Sequence, residues 1–125
     1  ELAPLSAFVA RKESVVENRE GLVRLMAVLQ DAMDYRMDNL DDTIRLTAGL
    51  TTLSEEITGS IFRSKTVGMF RTSELVSATK DGKVVGWLEG RNKQFVALDK
   101  VKTAVPAADY YLADVFLEGA ARVRK

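Results

Sequence analysis

Residues 18–40 read NREGLVRLMAVLQDAMDYRMDNL, and this stretch decides the fold class of the chain. Apolar residues recur in it every three or four positions, at Leu22, Leu25, Met26, Leu29, Ala32, Met33, Met37 and Leu40. Because an α-helix turns once in about 3.6 residues, this spacing predicts a helix with one apolar stripe, running to about Asp38. Asn18 is placed to cap its first turn, and Glu20 lies favourably near the positive end of the helix dipole.

Two shorter helices are predicted to follow. Residues 41–48 form the first, which ends at Gly49 in the left-handed conformation that glycine adopts at low cost. Residues 52–55, with the sequence TLSE, match a capping box and start the second helix, which ends near Lys65. One face of this second helix is apolar and consists of Leu53, Ile57 and Ile61.

The second half of the chain predicts three more helices. A loop at 67–70 holds two anchoring side chains, and a short helix capped by Thr72 or Ser73 follows it. The apolar positions of the next helix are Val84, Leu88, Phe95 and Leu98. Pro106 suits a first helical turn, so a last helix is predicted over residues 107–123. We expect that helix to bury Tyr111, Leu112, Val115, Phe116 and Gly119.

Residues 5–10, LSAFVA, predict one short N-terminal strand, because the run is apolar, contains Phe8 and Val9, and is short for a helix. A lone strand leaves its backbone groups unpaired, and no second strand is evident downstream. The chain is therefore predicted to be mainly α, with about six helices and one short N-terminal strand, as a single segment over 1–125. The unpaired strand also predicts self-association through a second copy.

Composition excludes several classes of function. The chain has 18 Lys plus Arg and 18 Asp plus Glu, so it lacks the basic excess that nucleic-acid binding needs. It has no His and no Cys, which removes imidazole bases, thiol nucleophiles and most zinc or copper sites. We therefore expect no catalytic residue, no metal and no cofactor. No apolar run reaches the length of about 18 residues that a membrane-spanning helix needs, and any export signal would lie upstream of Glu1.

Three carboxylates, Asp38, Asp41 and Asp42, are the most prominent candidate for chemistry. Paired carboxylates can bind a metal ion or act as acid and base. Their spacing lacks the central Gly and the final Glu of a calcium loop. Since they lie between two predicted helices, we expect them to satisfy free N–H groups at the start of the second helix.

Glycine and tryptophan give two further patterns. Gly82, Gly86 and Gly90 are four residues apart, which favours close packing against another element over a phosphate loop. Trp87 with Arg91 could form a ligand-facing cation–π pair, but a half-buried Trp packed on a helix face is the commoner arrangement.

Tyr110 and Tyr111 are adjacent, so they point to different helix faces and cannot form one site. We expect one in the core and the other at its rim. The methionines of the long helix are expected to fill the core, and they are Met26, Met33 and Met37.

A resemblance to a known family extends over nearly the whole chain. Residues 8–13, FVARKE, and 15–23, VVENREGLV, resemble a passage of NMT1/THI5-like periplasmic binding proteins in which a strand leads into a long helix. Shorter phrases that resemble the following helices of that family are LDD at 40–42, TAGLT at 47–51, SEE at 54–56, SEL at 73–75, DGK at 81–83 and ADYY at 108–111. The family includes binders of taurine, alkanesulfonates, nitrate and pyrimidine precursors.

The resemblance implies that the chain is the C-terminal part of a two-lobed α/β type II periplasmic binding protein, the solute-binding component of an ABC importer. It implies a periplasmic or other extracytoplasmic location, a small-molecule solute and an ABC permease as partners. Residues that grip the solute lie mostly outside this part in the family, so ligand-binding residues here are unknown.

Two alternatives stay open at this point. The chain could be an autonomous helical module for protein interaction or dimerisation, which would use an exposed apolar face. It could also belong to an enzyme of pyrimidine-precursor synthesis, since the same family includes one.

Overall fold

The computed structural model describes residues 7–64 and 70–123, and most of this part of the chain is helical. Its seven α-helices are α1 Lys12–Glu17, α2 Arg19–Asp38, α3 Leu40–Leu50, α4 Glu55–Arg63, α5 Thr72–Lys80, α6 Lys83–Ala97 and α7 Ala113–Ala121. A short 3-10 helix, Ala107–Asp109, lies between α6 and α7. The mainly α prediction is therefore confirmed.

The main packing interface joins α2 to α7. Gly119 brings the two helices together, because a β-carbon at this position would lie only 2.7 Å from the β-carbon of Met26. Val23 and Val115 are buried in the same interface. The Gln30 side chain, 1% exposed, donates a hydrogen bond of 3.2 Å to the carbonyl of Phe116. A glycine on one helix and a buried amide on the other thus fix how α7 lies on α2.

Helices α3 and α4 form a hairpin that packs mainly on itself. Ile44 of α3 is buried. A β-carbon placed on Gly59 of α4 would lie 3.6 Å from the Ile44 Cδ1, so the two helices are in close contact here. Ser54 caps α4 by accepting a hydrogen bond from the Ile57 N–H, so the helix starts two residues later than the capping box at 52–55 predicts, and Thr52 is not its cap. The guanidinium of Arg36 lies 4.1 Å from the ring centre of Phe62 and links α4 to the long helix.

Helices α5 and α6 complete the described part. Phe70 stacks on Trp87 of α6 with ring centres 5.4 Å apart, so it anchors the segment that enters α5. The other residues of the loop predicted at 67–70, residues 67–69, lie outside the described part of the chain. Ala107 is fully buried, and its N–H donates to the Glu89 carboxylate of α6. This hydrogen bond fixes the 3-10 helix to α6 before α7 begins.

The predicted N-terminal strand is wrong. Residues 7–10 are exposed and form no strand, and none occurs elsewhere in 7–64 or 70–123; residues 5 and 6 of the predicted strand lie outside this part. Helix α1 begins directly after them, with the Val15 N–H donating to the Arg11 carbonyl at 3.1 Å. A helix pairs its own backbone groups, whereas a lone strand needs a partner. The self-association that rested on this strand loses its basis.

Three smaller expectations also need correction. Helix α3 continues through Gly49, which does not adopt the left-handed conformation. The last predicted helix, 107–123, is divided, because the 3-10 helix ends at Asp109 and α7 starts only at Ala113. Open space surrounds Gly86, so it makes no close helix contact, while Gly82 with a φ of 72° provides the turn into α6.

Candidate functional site

A cleft of 390 Å³ lies where the end of α2 meets the start of α5. Its position follows from the long helix, which places Asp31, Asp34 and Asp38 on one face at a spacing of three and four residues. Arg71, the residue before α5, supplies the positive charge opposite them. The other residues that line the cleft are Tyr35, Asn39, Ser73 and Val123.

The polar groups of this cleft bond to each other. An Asp38 oxygen lies 2.6 Å from the Arg71 guanidinium, and this hydrogen bond holds the pKa of the Asp38 carboxyl below its ordinary value. Asp34 accepts a hydrogen bond of 2.8 Å from the Thr72 N–H at the first turn of α5. The Arg71 N–H donates to Glu74 at 2.7 Å. These contacts join α2 to α5 and satisfy backbone groups that a helix start leaves free.

The carboxylates that the sequence singled out do not form one site. Asp38 pairs with Arg71, whereas Asp41 pairs with Arg63 of α4. Asp42 accepts a hydrogen bond of 2.7 Å from the Tyr35 hydroxyl, which lowers the pKa of Asp42 and raises that of Tyr35. Asp41 and Asp42 do lie in the first turn of α3, where the helix dipole favours negative charge. Asp41 and Asp42 bond to side chains, and the start of α3 has no side-chain cap, so the prediction that these carboxylates cap its N–H groups is wrong.

The aromatic pairs agree with the structural interpretation of the sequence. Trp87 is half-buried and stacks on Phe70. The Tyr111 hydroxyl lies 2.8 Å from the Thr79 hydroxyl, and partial burial raises the pKa of Tyr111. Tyr110 is more exposed and donates to Asn92 at 3.3 Å. The two tyrosines therefore serve different contacts, as their adjacency in the sequence predicts.

An ion-pair cluster at the start of α2 is not predicted by any pattern in the sequence. The Arg19 guanidinium reaches Asp114 and Glu118 of α7, each at 2.7 Å. Glu20 pairs with Arg122 at 2.6 Å, and hydrogen bonds from Arg122 and Arg24 lower the pKa of Glu20 to about 2. The partners lie about a hundred positions apart in the chain, so no local pattern could reveal them.

The described residues offer little for ligand chemistry. Within 7–64 and 70–123, no group of three or more acidic side chains is arranged to hold a metal ion. None of the described helices is both long and apolar enough to cross a bilayer. A second depression of 520 Å³, at the end of α6, is lined partly by Lys93, Val96 and Lys102 and is open to solvent. The cleft at α5 is the better defined of the two, and its groups are engaged in holding helices together.

Comparison with curated proteins finds clear relatives. Over 111 residues, 89% of this chain, it is 39% identical to a protein of Brucella abortus (strain 2308) named "Putative binding protein". Proteins of Brucella suis biovar 1 (strain 1330) and Brucella melitensis biotype 1 carry the same name and match with the same identity and coverage. The chain spans about a third of the length of these relatives, 34% in each case.

Two other comparisons give no match. No protein-family model matches the chain, and no solved structure matches it significantly.

Proposed function

We propose that this chain is a supporting helical part of a solute-binding protein that serves an ABC importer outside the cytoplasm. The observation that carries the proposal is the 39% identity, over 89% of the chain, to relatives that are named as binding proteins. The chain corresponds to 34% of those relatives. In the proposed whole protein, most groups that contact the solute belong to the other two thirds.

The geometry of the cleft supports a structural role for this part. Asp34 and Asp38 are engaged with Thr72 and Arg71, so a ligand entering the cleft would have to break the junction of α2 with α5. Breaking a charge-assisted pair and uncapping a helix both cost free energy that a small solute would have to supply. The cleft therefore fits a joint between helices better than a ligand site.

The range of solutes that we propose rests on the resemblance to NMT1/THI5-like proteins. We propose a small solute of that family's range, a sulfonate, nitrate or a pyrimidine-like compound, that is bound between two lobes. Closure of the lobes on the solute then presents the loaded protein to an ABC permease. The helices described here would hold one lobe in shape during that closure.

A chimera tests this proposal. In it, the chain replaces the matched third of the Brucella abortus relative, and thermal melts are recorded with taurine, nitrate and a pyrimidine. A bound solute at about a hundred times its dissociation constant stabilises a protein by about 2.7 kcal/mol, which gives a clear rise in melting temperature. We expect one solute class to raise the melting temperature of the chimera and none to raise that of the chain alone. A folded chimera that responds to none of them contradicts the proposed solute range.

A helical interaction module is the second candidate function, because several aliphatic side chains of α3 and α4 are exposed. The two candidates differ in what the isolated chain does at rising concentration. An interaction module of the dimerising kind would elute as a dimer in size-exclusion chromatography, with a mass that grows with concentration. A supporting part of a larger protein has no evolved contact with its own copy, so no defined dimer is expected.

A further inference from the structure

The described part of the chain has a small apolar core. Its buried apolar side chains are Val23, Ile44, Ala78, Ala107 and Val115. Many large apolar side chains of the described helices stay exposed instead. A small core beside exposed aliphatic helix faces indicates a surface that a further contact would bury.

Five exposed aliphatic side chains lie on the α3–α4 hairpin. Leu46 and Leu50 are four residues apart and form one stripe of α3, with Leu50 88% exposed. Ile57 and Ile61 form the corresponding stripe of α4, and both are about half exposed. Leu53 lies in the connection between the helices and is also exposed. We call these five residues the hairpin aliphatic set.

The hairpin turns its small and polar residues inward. Thr58 and Gly59 of α4 are buried against α3, while Ile57 and Ile61 remain exposed. Among the described elements α4 packs along its length only on α3, apart from the contact of Phe62 with Arg36. An aliphatic side chain left half in water forgoes part of the burial free energy that a further contact surface would provide. An amphipathic helix with its strongest apolar stripe outward is expected to have a second contact surface.

We propose that the hairpin aliphatic set is the docking surface for the rest of a larger protein, a lobe supplied by the two thirds of the relatives that this chain does not match. The relatives have this additional length, since the chain spans only 34% of them.

The inference does not depend on the proposed solute or importer. It requires only that the chain be one part of a longer folded protein, so it can hold if the solute range is wrong.

Thiol labelling tests the proposal, because the chain has no Cys and a single introduced thiol is therefore a unique probe. Leu50→Cys and Ile57→Cys report on the hairpin aliphatic set. Glu56→Cys, an exposed position of the same helix about 100° around its axis from Ile57 and further from Ile61, is the matched control. Each is placed in the isolated chain and in the Brucella abortus chimera, built with a cysteine-free version of the relative's other two thirds. Circular dichroism confirms that each variant keeps its helical content.

We expect labelling of Leu50→Cys and Ile57→Cys to be about tenfold or more slower in the chimera than in the isolated chain, because reagent reaches a covered site only through local opening. Labelling of Glu56→Cys should stay the same. Equal rates at all three positions in the two proteins overturn the proposal. Protection in the isolated chain that grows with its concentration also overturns it, because a second copy would then cover the set.

A chimera that fails to fold is replaced by a mixture of the chain with the separately produced two thirds of the relative. The same protection pattern is expected in the mixture, and its absence from a complex that co-elutes in size-exclusion chromatography contradicts the proposal.

Discussion

Gly119 of α7 lies so close to Met26 of α2 that a β-carbon at position 119 would be 2.7 Å from the Met26 β-carbon. The same β-carbon would lie 3.1 Å from the backbone nitrogen of Ala27, which cannot move aside as a flexible side chain can. The absence of a side chain at this position therefore sets the distance between the two helices that form the main interface.

Gly119→Ala is expected to lower the free energy of unfolding by about 1–3 kcal/mol, because overpacking forces the helices apart. Gly86→Ala is the matched control, since its added methyl would meet open space in the middle of α6. That control should be neutral or stabilising by up to about 1 kcal/mol, as alanine favours a helix more than glycine does. Urea denaturation followed by circular dichroism measures both, and equal effects at the two positions would show that the close approach is not required.

Asp34→Ala tests whether the cleft is a joint between helices. Asp34 accepts the Thr72 N–H from a neighbouring helix, so its removal leaves the start of α5 without this partner. The expected loss is about 1 kcal/mol, the usual cost of deleting a helix cap. Asp31→Ala, in the same cleft, removes a carboxylate for which no such cap contact is found, and should change stability by less than about 0.5 kcal/mol. Denaturant titrations that give the same loss for both variants would contradict the capping role.

Acid should weaken the contact between α2 and α7 through Glu20. Its pKa is about 2 in the folded chain against an ordinary value of 4.5, because Arg122 and Arg24 donate hydrogen bonds to it. A lowered pKa means that the stabilisation is complete above about pH 4.5 and is lost as the pH falls towards 2. Thermal melts from pH 7 to pH 2 should therefore show a smaller loss in melting temperature for Glu20→Gln than for the unaltered chain.

Glu17→Gln, a carboxylate of α1 for which no ion pair is found, serves as the control for that comparison. Its pH profile should follow the unaltered chain, and a profile that instead matches Glu20→Gln would remove the special role of Glu20.

The stack of Phe70 on Trp87 can be followed directly, because Trp87 is the only tryptophan of the chain. Phe70→Ala should shift the tryptophan emission to longer wavelength, since the indole becomes more exposed to water. The same substitution should lower the free energy of unfolding by about 0.5–1.5 kcal/mol more than the loss of buried apolar area alone explains. Phe70→Leu keeps apolar cover without the ring and is expected to give a smaller shift. An unchanged spectrum in Phe70→Ala would mean that the two rings are not in contact in solution.

Helix periodicity predicted the class of fold because it is a local property. The stripe over 18–40 corresponds to α2, and the helix predicted to follow it with Ile57 and Ile61 corresponds to α4, although the cap of α4 is Ser54 and not Thr52. Periodicity does not state which side of a helix meets a partner. Leu25 belongs to the predicted stripe but is half exposed, whereas Gln30 is buried where α7 crosses. That outcome depends on a helix that starts more than eighty residues later.

The N-terminal strand was predicted wrongly because a short apolar run has no period of its own. The strand prediction rests on the β-branched and aromatic residues of the run, and Phe8 and Val9 are the only two of these in residues 5–10. The following residues can pair their own backbone in α1, which a strand without a neighbour cannot do.

Candidate site residues were harder to predict than helices. Asp38, Asp41 and Asp42 are neighbours in the sequence, but each bonds to a different element because α2 ends and α3 turns away between them. The cleft is formed by two stretches about forty residues apart, and only their packing brings Asp34 to Thr72. The link to binding proteins comes from the resemblance of whole stretches of the chain and from 39% identity to relatives named "Putative binding protein", since no cluster of candidate site residues provides it.

The central claim is that this chain supports a solute site formed mostly by the rest of a larger protein. Calorimetric titration of one solute, chosen from the thermal-melt screen, into the chain and into the Brucella abortus chimera tests it most directly. We expect saturable heat with the chimera and none with the chain alone. Binding of that solute by the chain alone with the affinity of the chimera would contradict the claim.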